Sequence, residues 1–194
     1  MNEFQNAIAL TGGISTGKST VCNILKLHGF SIIDADSIAH KILDENSSKI
    51  AQAFGDEFVK ESKVDRKMLG SLVFANAEEK KKLENLLHPL IKAEVLEQAK
   101  ICEAKNKPYI VDIPLFFETK NYPISNVVVV YCPKDIQVQR LCKRDNINEE
   151  AALQKISNQM SIEEKKNLAT FVIDNSEDLK HLQKQTEKFV KEVL

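Results

Sequence analysis

No pair of cysteines in this sequence has the Cys-x-x-Cys spacing of a zinc knuckle or a redox couple. The four cysteines are Cys22, Cys102, Cys132 and Cys142, and all but Cys142 neighbour apolar residues in expected helices or strands. They read as free thiols, which suits a reducing cytosol. Neither sign of charge is in excess: 27 Lys plus Arg stand against 28 Asp plus Glu, a net charge of −1. That balance speaks against a general nucleic-acid binder, which needs surplus cations to neutralise phosphates. No apolar run is long enough to span a bilayer. The N-terminus lacks the basic-then-apolar order of a signal peptide. The expectation is a soluble, cytoplasmic protein that binds neither nucleic acid nor membrane. There is no internal repeat, low-complexity tract or Gly/Pro-rich linker. At 194 residues the chain makes one domain of ordinary size. Such a domain buries about 70% of its unfolded surface and needs neither disulfides nor structural metal to fold.

Short apolar runs alternate with longer helical patterns. Ala7–Leu10, Phe30–Ile33, Tyr109–Asp112, Val127–Val130 and Phe171–Ile173 read as five strands. The four consecutive valines suit a strand covered on both faces. Between them, Val21, Ile24 and Leu25 recur at helical spacing until Gly29 stops the helix, and Ile38, Ile42 and Leu43 mark the next one. Residues 48–105 are mostly helical, with Asn76 as a cap and Glu79 placed to complete a capping box. Pro89 must kink that long helix or begin a new one. Residues 134–168 read as two or three charged helices, and 177–193 as a terminal amphipathic one. This alternation predicts an α/β fold: a five-stranded parallel sheet with helices on both faces. Right-handed crossovers place Thr11, Asp34, Asp112 and Pro133, which follow strands, along the edge where ligands bind in open sheets.

The segment Gly12-Gly13-Ile14-Ser15-Thr16-Gly17-Lys18-Ser19-Thr20 fits G-x-x-x-x-G-K-[ST], between an expected strand and an expected helix. The glycines permit a tight turn and close backbone approach. Successive N–H groups and the helix start then face the phosphates of a nucleoside triphosphate. Lys18 supplies a cation to the outer phosphates, and Ser19 a hydroxyl to Mg²⁺. The guanine-reading Asn-Lys-x-Asp segment of GTPases is absent, which favours ATP.

Asp34 and Asp36 end a strand two residues apart, so in an extended stretch both face one side. Either can orient Mg²⁺ or accept a proton from an acceptor hydroxyl; for Asp36, capping the following helix is the other open role. Here the chain resembles the dephospho-CoA kinase family. The match includes Leu10-Thr11-Gly12-Gly13-Ile14, Ile33-Asp34-Ala35-Asp36 with Ala39-His40, Asp65-Arg66, and Val73-Phe74. It continues through His88-Pro89-Leu90-Ile91, Asp112-Ile113-Pro114-Leu115-Phe116-Phe117-Glu118, Gln137, Arg140-Leu141, Arg144-Asp145, Gln159-Met160 and Val172-Ile173-Asp174-Asn175. The ordered set covers nearly the whole chain and is specific to the family.

The resemblance implies a P-loop kinase fold in three layers. Its core is about 1–47, 106–139 and 169–194, with a helical CoA-binding region at about 48–105 and a lid at about 140–168. It implies phosphorylation of the ribose 3′-hydroxyl of dephospho-CoA by ATP with Mg²⁺, with Asp36 engaging that hydroxyl. His88 then helps place the CoA-binding helices, while a structural hydrogen-bonding role is its plainer reading. Pro114, Leu115, Phe116 and Glu118 shape the acceptor pocket, although Phe116 and Phe117 can equally be core. Asp112 holds Mg²⁺ through water or is a strand-end acid bonded to backbone. Arg140, Lys143 and Arg144 share a helix face. That face is solvated, or it belongs to a lid that brings Arg140 to the transferred group and Arg144 to ATP. Asn175 contacts the adenine or forms a turn. The charged starts at 148–150 and 161–166 carry no assigned chemistry. A monomer is expected. One departure from the family pattern stands in the loop itself: Ser15-Thr16 replaces the usual Gly-Ser. Ser15 is expected to keep an allowed conformation and offer its N–H to phosphate; a positive φ there would mean strain.

Overall fold

The computed structural model describes residues 4–194. In chain order the elements are β1 (Ala7–Gly12), α1 (Lys18–Leu27), β2 (Ile32–Asp34), α2 (Ala35–Glu45), α3 (Ser47–Phe54), β3 (Val59–Lys60), β4 (Lys63–Val64), α4 (Arg66–Ala75) and α5 (Ala77–Glu103). There follow β5 (Tyr109–Asp112), α6 (Phe116–Thr119), β6 (Asn126–Tyr131), α7 (Lys134–Asp145), α8 (Glu149–Ser157), α9 (Ile162–Leu168), β7 (Phe171–Asp174) and α10 (Leu179–Val193). The chain divides into two compact units. One runs up to Ile33 and resumes over Ala99–Leu194; the other is Asp34–Gln98.

The first unit is built on a parallel sheet with strand order β2-β5-β1-β6-β7. β1 lies at its centre, and every one of its six residues is buried. That explains its composition: a strand flanked by two others and covered on both faces tolerates only apolar or small side chains. Its register sets Leu10 beside Asp112 on one side and Gly12 beside Val130 on the other. β7 adds Asp174 beside Tyr131. The C-terminal ends of four strands therefore share one edge, as the alternating pattern predicts. Val21 and Leu25 of α1, and Leu182, Phe189 and Val190 of α10, pack with Ile8, Leu10, Ile110, Val128 and Val130. A smaller cluster, Val138, Leu141 and Ala152, joins α7 to α8. Gly29, at φ 86°, ends the first helical segment as expected.

The second unit has its own core of Leu43, Ile50, Phe58, Val64, Leu69 and Leu87. It contains an antiparallel β3–β4 hairpin that the sequence pattern does not reveal. Two-residue strands show no periodicity. Its turn residues Glu61 and Ser62 both take positive φ, 49° and 62°, where Asn-Gly is the usual signal. The Asn76 cap is present, since its side-chain oxygen accepts the N–H groups of Glu78 and Glu79. The Glu79 carboxylate meets Lys82. α5 then runs without interruption through Pro89.

Candidate active site

The expected phosphate loop joins the C-terminal end of β1 to the first turn of α1. Inside it, the Thr16 hydroxyl and N–H both donate to the Gly13 carbonyl, at 2.9 and 3.3 Å. Gly17 sits at φ 93°, a conformation open to glycine and strained for other residues. A Cβ at Gly17 would also lie 2.2 Å from the Asn175 amide nitrogen, and one at Gly13 would lie 2.5 Å from Gln137 Oε1. Glycine is thus required twice over at 17. Ser15 departs from expectation: its φ is 61°. The left-handed region places Cβ against backbone oxygen, so a residue other than glycine is strained there. Its hydroxyl oxygen is also buried without a hydrogen-bond partner. A glycine here would carry neither the strain nor the buried hydroxyl.

Three side chains from distant segments buttress the loop. Asn175, at the end of β7, donates its amide N–H to the Thr16 carbonyl at 2.7 Å, while its backbone N–H reaches Tyr131 O. Its side chain is therefore engaged by the loop. Gln159 accepts the Ile14 N–H at 2.9 Å. Lys165, fully buried, donates to the Gly12 carbonyl at 3.1 Å. The sequence pattern gave no chemistry to Lys165 because it stands in the charged run Glu163-Glu164-Lys165-Lys166. The start of that run behaves as expected, with Ser161 and Glu164 forming a reciprocal capping box on α9.

Lys18 and Asp112 form an ion pair, and the Cys22 thiol donates to the second oxygen of Asp112 at 3.2 Å. Asp112 is buried, and its carboxylate bonds to the side chains of Lys18 and Cys22. Burial, with the neighbouring Asp112 charge adding to it, pushes the Cys22 thiol up to about 12. Ser19 is exposed one residue into α1, as is Thr20.

Arg140 is half-buried on α7. Its Nη2 donates to the Glu177 carbonyl at 3.4 Å, whereas Nη1 is buried without a partner. Arg144 lies one turn further along and is turned to Asp145, with 2.8 Å between Nε and Oδ1. Phe116 is core, stacked edge-to-face on Phe117. The Pro114 carbonyl accepts from the Thr11 hydroxyl at 2.8 Å. Leu115 is exposed. Glu118 accepts the Met160 N–H at 3.1 Å and pairs with Lys165 at 2.8 Å.

In the second unit, the extended reading of the Asp34-Ala35-Asp36 segment is corrected. Asp34 is the cap of α2, accepting the Ser37 N–H at 2.9 Å, and Asp36 already lies in the first helical turn. Capping therefore falls to Asp34, because an Ncap residue needs extended backbone and Asp34 has it, at φ −98°, ψ 105°. Asp36 is exposed, and so is His88 on α5. Among the described residues no cluster of three or more metal-ligating side chains occurs, and no helix is long and apolar enough to cross a membrane.

A parallel sheet whose central strand feeds a lysine-bearing glycine loop, with arginines on the helix after β6, defines the class: a P-loop kinase. Within that class the comparisons are specific. The sequence profile of dephospho-CoA kinase matches residues 6–181. A dephospho-CoA kinase of Sulfurimonas denitrificans is 51% identical over 190 residues, covering 98% of this chain and 95% of the relative. One from Helicobacter pylori is 48% identical over 194 residues, covering 98% and 99%. The solved dephospho-CoA kinase of Campylobacter jejuni is 40% identical with a TM-score of 0.73, covering 97% of each chain. The chain belongs to the dephospho-CoA kinase family, which catalyses the final step of coenzyme A biosynthesis with ATP as phosphoryl donor.

Proposed function

We propose that this chain transfers the γ-phosphoryl group of ATP in line to the ribose 3′-hydroxyl of dephospho-CoA, giving coenzyme A and ADP. The observation that carries the reading is the phosphate loop, with Lys18 at the head of α1 and its backbone held by Asn175, Gln159 and Lys165. The N–H groups of Gly13 to Thr20 and the Lys18 ammonium hold the phosphates. Before Lys18 can do so, it must exchange Asp112 for phosphate oxygen. Asp36 orients the acceptor hydroxyl and takes its proton; its exposed place in the first turn of α2, two residues after the Asp34 cap, supports that role. Arg140 meets the charge that develops on the transferred group; the buried, unpartnered Nη1 supports that role. Arg144 reaches ATP after leaving Asp145. Residues 140–168 act as the lid, and the unit that begins at Asp34 binds the acceptor, with His88 on its long helix.

The hydroxyl of Ser19 and, through water, the carboxylate of Asp112 would hold Mg²⁺. The fit is good, because Mg²⁺ takes hard oxygen donors, keeps several waters, and shares the rest of its shell with phosphates. When bound, it neutralises charge on the β- and γ-phosphates. Phe116 and Phe117 serve the acceptor pocket mainly by packing behind Pro114 and Leu115. We place the protein in the cytoplasm, as a monomer.

The test is ADP release with Mg-ATP and, separately, dephospho-CoA, adenosine, AMP and shikimate. Strong stimulation by dephospho-CoA alone is expected. Equal stimulation by another acceptor, or none by dephospho-CoA, would overturn the substrate assignment.

A further inference from the structure

Lys165 has no exposed surface, although its neighbours on α9 are solvated. Its ammonium has three hydrogens and meets three acceptors: the Gly12 carbonyl at 3.1 Å, the Pro114 carbonyl at 3.2 Å and Glu118 Oε1 at 2.8 Å. Its donor capacity is thereby filled. Each acceptor belongs to a different part of the unit. Gly12 is the first glycine of the phosphate loop. Pro114 lies just beyond β5 and also receives the Thr11 hydroxyl. Glu118 lies on α6 and receives, on the same oxygen, the N–H of Met160 from the connection between α8 and α9. The residue before Met160 is Gln159, whose side-chain oxygen accepts the Ile14 N–H of the loop.

A buried ion pair is weak evidence of stability, since desolvation offsets much of the attraction. Glu118 Oε2 is buried and lacks any partner, so this pair is not optimised for stability. What the pair does accomplish is geometric. One nitrogen fixes the start of the phosphate loop at Gly12, and through Glu118 and Met160 it fixes the lid segment whose preceding residue, Gln159, reaches the loop at Ile14. α9 is itself held in place, with Lys166 over the Tyr131 ring at 4.0 Å and the Tyr131 hydroxyl donating to Glu163 at 2.7 Å.

We propose that Lys165, with Glu118 as its counter-ion, is a positioning residue for phosphoryl transfer: it locks the first turn of the phosphate loop to the base of the lid, so that loop and lid hold one alignment. The proposal rests on the kinase reading and deepens it. It reassigns Glu118 from acceptor contact to anchor of the lid base. Misplacing a reacting group by about 1 Å can cost about 10²-fold in rate, so the loss should appear in turnover.

The variants are Lys165→Met, Glu118→Gln, and the two combined. The combined variant leaves no buried charge, and its thermal midpoint should recover most of what Lys165→Met alone loses. Turnover per folded molecule, with the folded fraction read by circular dichroism, should stay at least tenfold below wild type. The KM for dephospho-CoA should hold within about threefold, and ATP should bind more weakly by titration calorimetry. A merely structural pair predicts the opposite, namely that turnover and ATP affinity return with the midpoint; that result would overturn the proposal, as would a rise confined to the KM for dephospho-CoA. Wild-type protein that releases no ADP with dephospho-CoA would instead count against the substrate assignment, and ATP affinity in the combined variant then decides the role of Lys165, unchanged affinity overturning it.

Discussion

Replacing Ser15 with glycine should stabilise the ligand-free protein. Ser15 sits at φ 61°, and a non-glycine residue in the left-handed region is strained by roughly 1–2 kcal/mol. Its hydroxyl, buried and without a partner, adds a desolvation cost of about 1 kcal/mol. Against these, glycine brings extra freedom to the unfolded chain, worth roughly 0.5–1 kcal/mol. The balance favours Ser15→Gly by about 1–2 kcal/mol. In a domain of this size each kcal/mol moves the thermal midpoint by about 2–4 °C, so a rise of roughly 2–8 °C is expected by scanning calorimetry. Ser15→Ala separates the two causes. It removes the hydroxyl and keeps the Cβ that makes the backbone strained, so its gain should not exceed about 1 kcal/mol. If Ser15→Gly were neutral or destabilising, or if alanine matched or exceeded glycine, backbone strain would not be the reason that this position suits glycine.

Three further outcomes follow from the geometry. Asp36→Asn should lower kcat by about 10²- to 10⁴-fold in steady-state assays, with ATP affinity unchanged by calorimetry; near-normal turnover would remove Asp36 from the role of base. Asn175→Ala strips the Thr16 carbonyl of its buried donor and should destabilise by about 1–3 kcal/mol in urea unfolding, weakening ATP binding with it; a variant as stable as wild type would show that the loop does not depend on this amide. With the Cys22 thiol raised to about 12, the group stays protonated at pH 8.5. Iodoacetamide should therefore modify the half-exposed Cys142 first and leave Cys22 intact until the protein unfolds. The sign for stability is the same: a thiol with a raised folded value contributes below its unfolded value and loses that contribution as pH rises. Mass spectrometry showing early labelling of Cys22 would contradict the burial beside Asp112.

Much of this arrangement is written in local sequence. The five strands are legible because a sheet covered on both faces demands apolar runs, and Ala7–Leu10 and Val127–Val130 supply nothing else. The phosphate loop is legible because its glycines and lysine fall at fixed spacing between a strand and a helix. What the sequence conceals is of another kind. The β3–β4 hairpin turns on Glu61 and Ser62, residues with no preference for the positive φ that both adopt. The division of labour between Asp34 and Asp36 depends on one residue of helix register, below what periodicity resolves. Lys165 is the sharpest case. On its own helix it follows two glutamates and precedes another lysine, the composition of a wet surface. Its burial comes from Gly12, Pro114 and Glu118, segments up to 153 residues away in sequence. Gln159 was visible only as a member of the family's ordered set, and Asn175 only as an adenine contact or turn residue; that both brace the loop depends on where segments distant in sequence meet.

The central position of β1 also has a consequence for synthesis. Its first residue pairs with Tyr109, and its other edge with residues from Asn126 onward. A chain leaving the ribosome N-terminus first therefore exposes the largely apolar Ala7–Gly12 long before either partner strand exists. Asp34–Gln98 closes its own core from contacts within itself and can mature in that interval. The strand that carries the phosphate loop must wait, and pairings this distant in sequence are slow to form. A released fragment that ends shortly before Tyr109 should have an Asp34–Gln98 segment that resists protease while Ala7–Gly12 remains open to chaperones, and it is there that aggregation of an overproduced protein would begin.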